Sequence, residues 1–144
     1  MQSHKTRTER GFTLVELAVV VVILGVLAAF GVPRFMASVE RSKASEAFTY
    51  LSTIQTAQER YQARQGIYAD NLSKLDIGVE APEYFSVASF KVPTSEASFE
   101  TGWTLTVTRK GSSAGYGAYT VTYNHKGYDS SKSTIPDEIN PRQT

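Results

Sequence analysis

One segment limits what this chain can fold into more than any other feature. From Phe12 to Val32 the sequence runs for 21 residues with only two polar side chains, Thr13 and Glu16. That length meets the requirement of about 20 apolar residues for a helix that crosses a bilayer. A helix that is apolar on every side must be surrounded, and the roughly 110 residues that follow cannot surround it while forming their own core. The segment therefore predicts burial in a membrane or against other copies of the chain.

The flank of the apolar segment predicts its orientation. Lys5, Arg7 and Arg10 precede it with a single acidic residue, and basic residues favour the cytoplasmic side of a membrane. We therefore expect a cytoplasmic N-terminus and an exported remainder. A cleaved secretory signal is disfavoured, because its apolar core would be about 7 to 15 residues long and would end in small residues.

Composition weakens several function classes. The chain has 144 residues, with 15 Lys and Arg against 14 Asp and Glu, so it shows no basic footprint for nucleic acid, and no nucleic-acid partner is predicted. It has no cysteine and only two histidines, which leaves His125 as the one interior candidate for a catalytic or metal-binding imidazole. We expect His125 to be a surface residue, and we expect no enzyme, cofactor or metal site. Asp129, Asp137 and Glu138 lack the spacing of a calcium loop and are expected to be solvated.

Four residues inside the apolar region are not explained by a plain membrane anchor: Glu16, Gly25, Gly31 and Pro33. A carboxylate in hydrocarbon costs about 2.5 to 3.5 kcal/mol, less near the interface, so Glu16 either finds a partner or faces the headgroups, where the helix dipole favours it. In water each Gly costs about 1 kcal/mol in a helix and Pro about 3 kcal/mol. Pro33 removes an N–H and predicts a kink or a locally unwound stretch between Gly25 and Pro33.

The N-terminal region resembles a known family. The stretch Arg10-Gly11-Phe12-Thr13-Leu14-Val15-Glu16-Leu17, followed by the apolar run and Pro33, resembles the class III signal of type IV pilins and pseudopilins, and the likeness extends to about residue 65. It implies a prepilin peptidase that cuts between Gly11 and Phe12 and then N-methylates Phe12. Residues 1–11 would be a removed leader, residues 12–33 the transmembrane and filament-core half of a long helix, and residues 34–144 an extracytoplasmic pilin domain.

The same resemblance implies partners and roles for the unexplained residues. Glu16 would pair with the Phe12 amine of a neighbouring subunit, and Gly25, Gly31 and Pro33 would lie where the helix bends or melts during assembly. The implied partners are the inner membrane, the prepilin peptidase and N-methyltransferase, the pilus assembly machinery and other copies in a helical filament. The subunit would be a single-pass inner-membrane protein first, and part of an extracellular pilus or a periplasmic filament afterwards.

The helix is expected to continue beyond Pro33 as an amphipathic half, from about Phe12 to Gln65 in all, with Gly66 as its C-cap. On a helical wheel one arc is predicted to be buried and the opposite arc to be polar and exposed. The buried arc holds Ala47, Tyr50, Leu51, Ile54, Ala57, Gln58 and Tyr61, and the polar arc holds Thr49, Ser52, Thr53, Thr56, Glu59 and Arg60.

The predicted fold class is α+β and type IV pilin-like: a long N-terminal α-helix whose second half packs on a small antiparallel β-sheet of about three to four strands. A loop over residues 66–82 with a short turn at 71–75 precedes a first strand at 84–92. Residues 103–108 and 119–123 alternate apolar and Thr side chains and predict a hairpin across the turn-rich residues 110–115. The apolar row should lie on the helix and the Thr face should meet solvent or a neighbour. The tail from Asp129 to Thr144 is expected to be extended, either mobile or docked.

Three function classes remain open. The first is a structural subunit of a type IV pilus, serving adhesion, motility, aggregation or DNA uptake, as a major or a minor pilin. The second is a pseudopilin of a type II secretion system; major pseudopilins usually end in an Asp-rich calcium segment with a late Trp, whereas Trp103 is the only Trp here, which favours the pilin. The third, a monomeric membrane-anchored domain, would not need Glu16.

Overall fold

A computed structural model describes residues 11–111 and 115–143. The predicted leader, apart from Gly11, and the centre of the 110–115 turn lie outside the described residues. Contacts divide the chain after Phe35 into two units. The elements in chain order are α1 (Leu14–Gln65), β1 (Phe85–Val87), β2 (Thr104–Arg109), β3 (Thr120–Asn124) and β4 (Gly127–Tyr128), with short 3₁₀ turns at Leu72–Lys74 and Asp137–Ile139.

The four strands form one antiparallel sheet in the order β1-β2-β3-β4. In the predicted hairpin, Leu105 of β2 lies opposite Tyr123 of β3, and Val107 lies opposite Val121. The first strand was expected at residues 84–92, but β1 covers only Phe85–Val87. Beyond β1, an isolated bridge joins Lys91 to Thr104. The irregular alternation of residues 84–92 agrees with this interrupted pairing. The α+β fold class is confirmed.

The core of the second unit lies between the later half of α1 and the sheet. The apolar rows of β2 and β3 are buried, and the ring of Phe48 meets the ring of Tyr123 edge-on at 6.1 Å between centroids. The predicted helix arc is buried as expected, except that Tyr61 is only partly buried. Ala44 and Phe48 belong to the core although the predicted arc did not include them. The buried residues of α1 are Glu40, Ala44, Ala47, Phe48, Tyr50, Leu51, Ile54, Ala57 and Gln58.

The C-terminal end of α1 is fixed by two local features. Gly66 has a φ of 77°, and its N–H donates to the Gln62 carbonyl at 2.8 Å, as in a left-handed C-cap. The buried amide of Gln58 then holds the chain beyond the cap: its Nε2 donates to the Ala69 carbonyl at 2.9 Å, and its Oε1 accepts from the Ala69 N–H at 2.8 Å. The loop after the helix is therefore tied back to the helix by a paired backbone contact.

A charged cluster is buried between α1 and β2. The Glu40 carboxylate accepts from Nε of Arg109 at 2.5 Å, from Nη2 of Arg109 at 3.2 Å and from the hydroxyl of Tyr119 at 2.9 Å. Nζ of Lys43 lies 3.8 Å from the same carboxylate, and Nη1 of Arg109 donates to the Tyr84 carbonyl. Glu40 is only 1% exposed and is the first buried residue of α1. The sequence reading did not anticipate this cluster.

The C-terminal tail is docked, which decides between the two alternatives left open by the sequence. Ile135 and Ile139 are buried in the core. The guanidinium of Arg142 lies 5.7 Å from the ring centroid of Tyr123, and the carbonyl of Gln143 accepts from Nη2 of Arg41 at 3.2 Å. The tail therefore closes over the sheet and reaches α1.

The tail also corrects the expectation for the Thr face of the sheet. Thr122 is 2% exposed, so it meets neither solvent nor a neighbour. Its N–H donates to the Ser133 hydroxyl at 2.9 Å and its own hydroxyl donates to the Lys132 carbonyl at 3.1 Å. A further hydroxyl contact joins it to Thr106 at 2.9 Å. The correction therefore holds at Thr122, which the tail covers and supplies with polar partners, whereas the other Thr residues of β2 and β3 remain half-buried.

Candidate assembly site

The predicted cleavage position lies just before α1. Gly11, Phe12 and Thr13 are outside any helix or strand, and the helix begins at Leu14. The side chain of Phe12 is 82% exposed. The Gly11–Phe12 peptide bond is therefore in an accessible, non-helical segment, which is the kind of backbone that a protease can bind in extended form.

Thr13 and Glu16 form a reciprocal cap at the start of α1. The Glu16 carboxylate accepts from the Thr13 N–H and from the Thr13 hydroxyl, both at 2.8 Å, while the Glu16 N–H donates to the Thr13 hydroxyl at 3.2 Å. This is a capping box, and it satisfies two backbone donors that the helix start leaves without partners. The Thr-x-x-Glu spacing is the sequence signal for a capping box. It was overlooked, because Glu16 was considered only as a carboxylate in need of a partner or facing the headgroups.

Gly25, Gly31 and Pro33 lie within α1, and residues 25–33 are helical. The unwound stretch that was one of the two alternatives is therefore absent from the single chain, and a kink at this position remains a prediction. No atom of the described residues lies within 4 Å of the place where a Cβ would stand at Gly25 or Gly31, the helix's own nearby backbone aside. These glycines therefore relieve no crowding inside the chain. Small residues on an apolar helix let a neighbouring helix approach closely.

The surface around these residues is apolar and uncovered. All residues from 11 to 36 are exposed, and this part of α1 is long and apolar enough to cross a membrane. Such a surface can be covered by lipid or by similar helices, since its side chains offer few hydrogen-bonding groups.

The polar residues weighed for chemistry lie in different surroundings. His125 is not a plain surface residue: its side chain is 16% exposed and packs over Gly102, where an added Cβ would lie 2.8 Å from its Nδ1. Asp129 is not simply solvated either, because it accepts from the Ser131 hydroxyl at 2.6 Å and from Nδ2 of Asn124 at 3.2 Å. The Ser131 hydrogen bond holds the pKa of the Asp129 carboxyl below its usual value. Asp137 and Glu138 are exposed as expected.

Two family models match the chain, and together they cover most of it. The model described as Prokaryotic N-terminal methylation motif matches residues 6–32. The model described as Type IV minor pilin ComP, DNA uptake sequence receptor, matches residues 33–122, which is more than half of the chain. No solved structure matches significantly.

Similar curated proteins come from two kinds of filament system. The chain is 42% identical over 71 residues to the type IV major pilin protein PilA of Myxococcus xanthus, covering 49% of this chain and 32% of that protein. It is 38% identical over 77 residues to type II secretion system core protein G of Vibrio cholerae, covering 54% of this chain and 50% of that protein. It is 39% identical over 66 residues to the fimbrial protein EcpC of Eikenella corrodens, covering 45% and 43%. The chain thus spans about a third to a half of the length of these relatives.

Proposed function

The chain belongs to the type IV pilin family represented by the minor pilin and DNA uptake sequence receptor ComP, and from this membership we propose that it is a filament subunit anchored first in the inner membrane. One observation carries the proposal. The residues from 36 onward bury a core of their own, whereas the apolar residues before them remain exposed in the single chain. Removing that surface from water contributes about 25 cal/mol for each Å², and only lipid or other copies of the chain can cover it.

The proposed maturation begins at the accessible Gly11–Phe12 bond. A prepilin peptidase cuts there on the cytoplasmic side, and Phe12 then becomes the N-methylated first residue of a mature subunit. The match of residues 6–32 to the methylation motif supports this step. Cleavage removes the basic leader and leaves the apolar helix attached, so the product stays in the membrane until assembly.

In the proposed assembly step Glu16 changes partners. Before assembly its carboxylate caps Thr13 of its own chain. In the filament it pairs with the Phe12 amine of a neighbouring subunit, which neutralises a charge among apolar helices. We expect Glu16→Ala to be processed normally but to enter filaments at least about tenfold less, because an unpaired charge in an apolar surrounding costs several kcal/mol. Wild-type incorporation would refute the pairing; Glu59→Ala, at an exposed position of α1, is the matched control.

The first experiment is mass spectrometry on fibres sheared from the cell surface, covering both the intact chain and its N-terminal peptide. A chain that begins at methylated Phe12 and is abundant in the fibres supports a major pilin. A full-length chain confined to the membrane fraction would refute processing and leave an ordinary anchored domain. Processed protein that is absent from sheared fibres would support a pseudopilin or a minor pilin; the similarity to type II secretion core protein G is compatible with the first of these.

A second candidate function is DNA binding within a pilus, and it rests on the family match over residues 33–122. Removal of the leader takes away three basic residues and one acidic residue, so the proposed mature chain has a formal net charge of −1, which argues against strong non-specific binding. Fluorescence anisotropy with short labelled duplexes at increasing salt tests it. Binding that is selective among duplex sequences and weakens with salt would support a receptor role; equal, weak binding to all duplexes at low salt would refute it.

A further inference from the structure

A groove in the second unit runs between α1 and the segment that leads into β1. One cleft of about 270 Å³ is lined by Glu46, Thr49 and Tyr50 from the helix and by Val79, Glu80 and Pro82. A second cleft of about 320 Å³ adjoins it, and Glu46 lines both. We call the two clefts together the Glu46 groove.

Glu46 is incompletely bonded at this position. Its Oε1 accepts from the Glu83 N–H at 2.9 Å, but its Oε2 is buried and has no hydrogen-bond partner in the described part of the chain. A carboxylate oxygen that is shielded from water without a donor is unfavourable. Glu80 and Glu83 lie beside it and are exposed. With only Lys43 as a cation in the lining, the groove presents an excess of negative charge.

The same helix carries a complementary feature. Arg60 and Arg64 are exposed, and within residues 11–111 and 115–143 neither forms an ion pair; both donate hydrogen bonds to backbone carbonyls. Arg60 donates from Nη2 to the Asp76 carbonyl and Arg64 from Nε to the Arg60 carbonyl, and each guanidinium has further N–H donors besides the one used in that bond. A guanidinium suits a carboxylate because it can present two parallel donors to it.

We propose that the Glu46 groove receives Arg60 and Arg64 of a second copy of this chain. Fourteen residues of helix separate positions 46 and 60, about 21 Å at 1.5 Å per residue, so the contact cannot form within one molecule. It forms between parallel neighbours displaced by about 21 to 27 Å along the helix. Different patches then meet at each contact, which is the heterologous interface that an open helical polymer requires. The inference rests on the proposed filament function. It adds a charged contact to the apolar contact between the N-terminal parts of α1.

Cysteine cross-linking tests the contact directly, because the chain has no cysteine of its own. Thr49→Cys and Ala63→Cys leave Glu46 and both arginines in place, and both positions are exposed. A disulfide needs Cα atoms within about 7 Å, so the double variant can close only between copies. We expect oxidised filaments of the double variant to give a covalent ladder on non-reducing gels, and each single variant to give none. The control pair Thr49→Cys with Lys126→Cys should give no ladder.

Charge exchange is the second measurement. Glu46→Arg, and separately Arg60→Glu with Arg64→Glu, should each reduce the filament yield at least about tenfold, and all three changes together should restore most of it. Filaments of the double-cysteine variant without a ladder, or folded charge variants that the exchange does not rescue, would overturn the inference and leave the filament function standing. A parent chain that forms no filaments would instead overturn the filament function.

Discussion

Glu16 and Glu40 lie on the same helix but in two units with opposite surroundings. Glu16 is exposed among apolar side chains, and its hydrogen bonds are local, to Thr13 three residues earlier. Glu40 is buried, and its carboxylate is bonded by Arg109 and Tyr119 from the sheet. The Glu40 carboxylate therefore has partners that the fold brings from far along the sequence, whereas within the described residues the bonds of Glu16 are those of a helix cap.

The difference separates two sources of stability. A buried ion pair is tolerable only where its remaining donors and acceptors are satisfied, and the second unit provides these itself. The apolar residues from 12 to 35 are exposed in the single chain, so their burial requires something besides it. The second unit should thus be stable alone, while the first depends on lipid or on other copies.

Removal of the first unit is the most direct test of whether the second unit is stable alone. A chain that begins at Met36 should be a soluble monomer with a cooperative thermal transition, because every buried core residue lies beyond that point. It should form no filaments at all. Circular dichroism and sedimentation velocity check both outcomes; a molten or aggregated product would show that the second unit needs the first.

Glu40→Ala should then be a strongly destabilising single change within that soluble unit. It leaves the Arg109 guanidinium buried without its carboxylate, and breaking a buried pair in this way costs about 3 to 5 kcal/mol. Urea unfolding of the chain from Met36 measures the loss. Glu59→Ala, at an exposed site of the same helix, should change the free energy of unfolding by less than about 0.5 kcal/mol.

A paired change sharpens this result. Glu40→Leu with Arg109→Met replaces both charges by apolar groups of similar size, and such replacements are often neutral or stabilising. We expect the double variant to be more stable than Glu40→Ala alone. If both lose the same free energy, the apolar contacts of these side chains matter more than their charges.

The parts of the fold that the sequence predicted depend on local patterns. The spacing of Ala47, Leu51 and Ile54 identified the buried helix face, Gly66 marked the helix end, and the alternating Thr residues marked the hairpin. Each of these signals lies within a few residues of the structure that it predicts. The apolar N-terminal segment was likewise recognised from a local signal, the length and apolar composition of the segment itself.

The parts that escaped depend on distant contacts. Glu40 was not counted as a core residue, because a glutamate is normally exposed and its partner Arg109 comes only at the end of β2. The docking of the tail could not be decided, since Ser133 and Ile139 find their places only on the finished sheet. At the assembly site the Thr13–Glu16 cap was readable and missed, whereas a filament neighbour cannot be read from one chain.

Gln58 offers a smaller test of how the second unit holds its own loops. Gln58→Ala removes both contacts to the Ala69 backbone and leaves a buried N–H and a buried carbonyl without their partners. We expect a loss of about 2 kcal/mol in the free energy of unfolding. Gln62→Ala, one turn later and only partly buried, is the matched control. Equal losses would show that the amide pairing contributes nothing specific.

The smallest expected effect is a pH dependence that belongs to the Glu40 cluster. Burial, and then the hydrogen bond to Glu40, raise the pKa of the Tyr119 hydroxyl above its usual value of 10. Above about pH 10 the unfolded chain releases this proton while the folded chain keeps it, so stability is present below that pH and is lost as the pH rises toward the folded pKa.

Tyr119→Phe isolates this contribution from the other groups that titrate in the same range. It removes the hydroxyl bond to Glu40 at every pH and lowers stability by about 1 kcal/mol at pH 8. The phenylalanine side chain has no proton to release. The free energy of unfolding of Tyr119→Phe should therefore fall less steeply than that of the parent between pH 9.5 and pH 11. The two slopes can differ by at most about 1.4 kcal/mol per pH unit. Urea unfolding of both chains at half-unit steps measures the two slopes. Parallel curves would mean that Tyr119 ionises equally in the folded and unfolded chain, and the contrast with the exposed, locally capped Glu16 would then rest on the Arg109 pair alone.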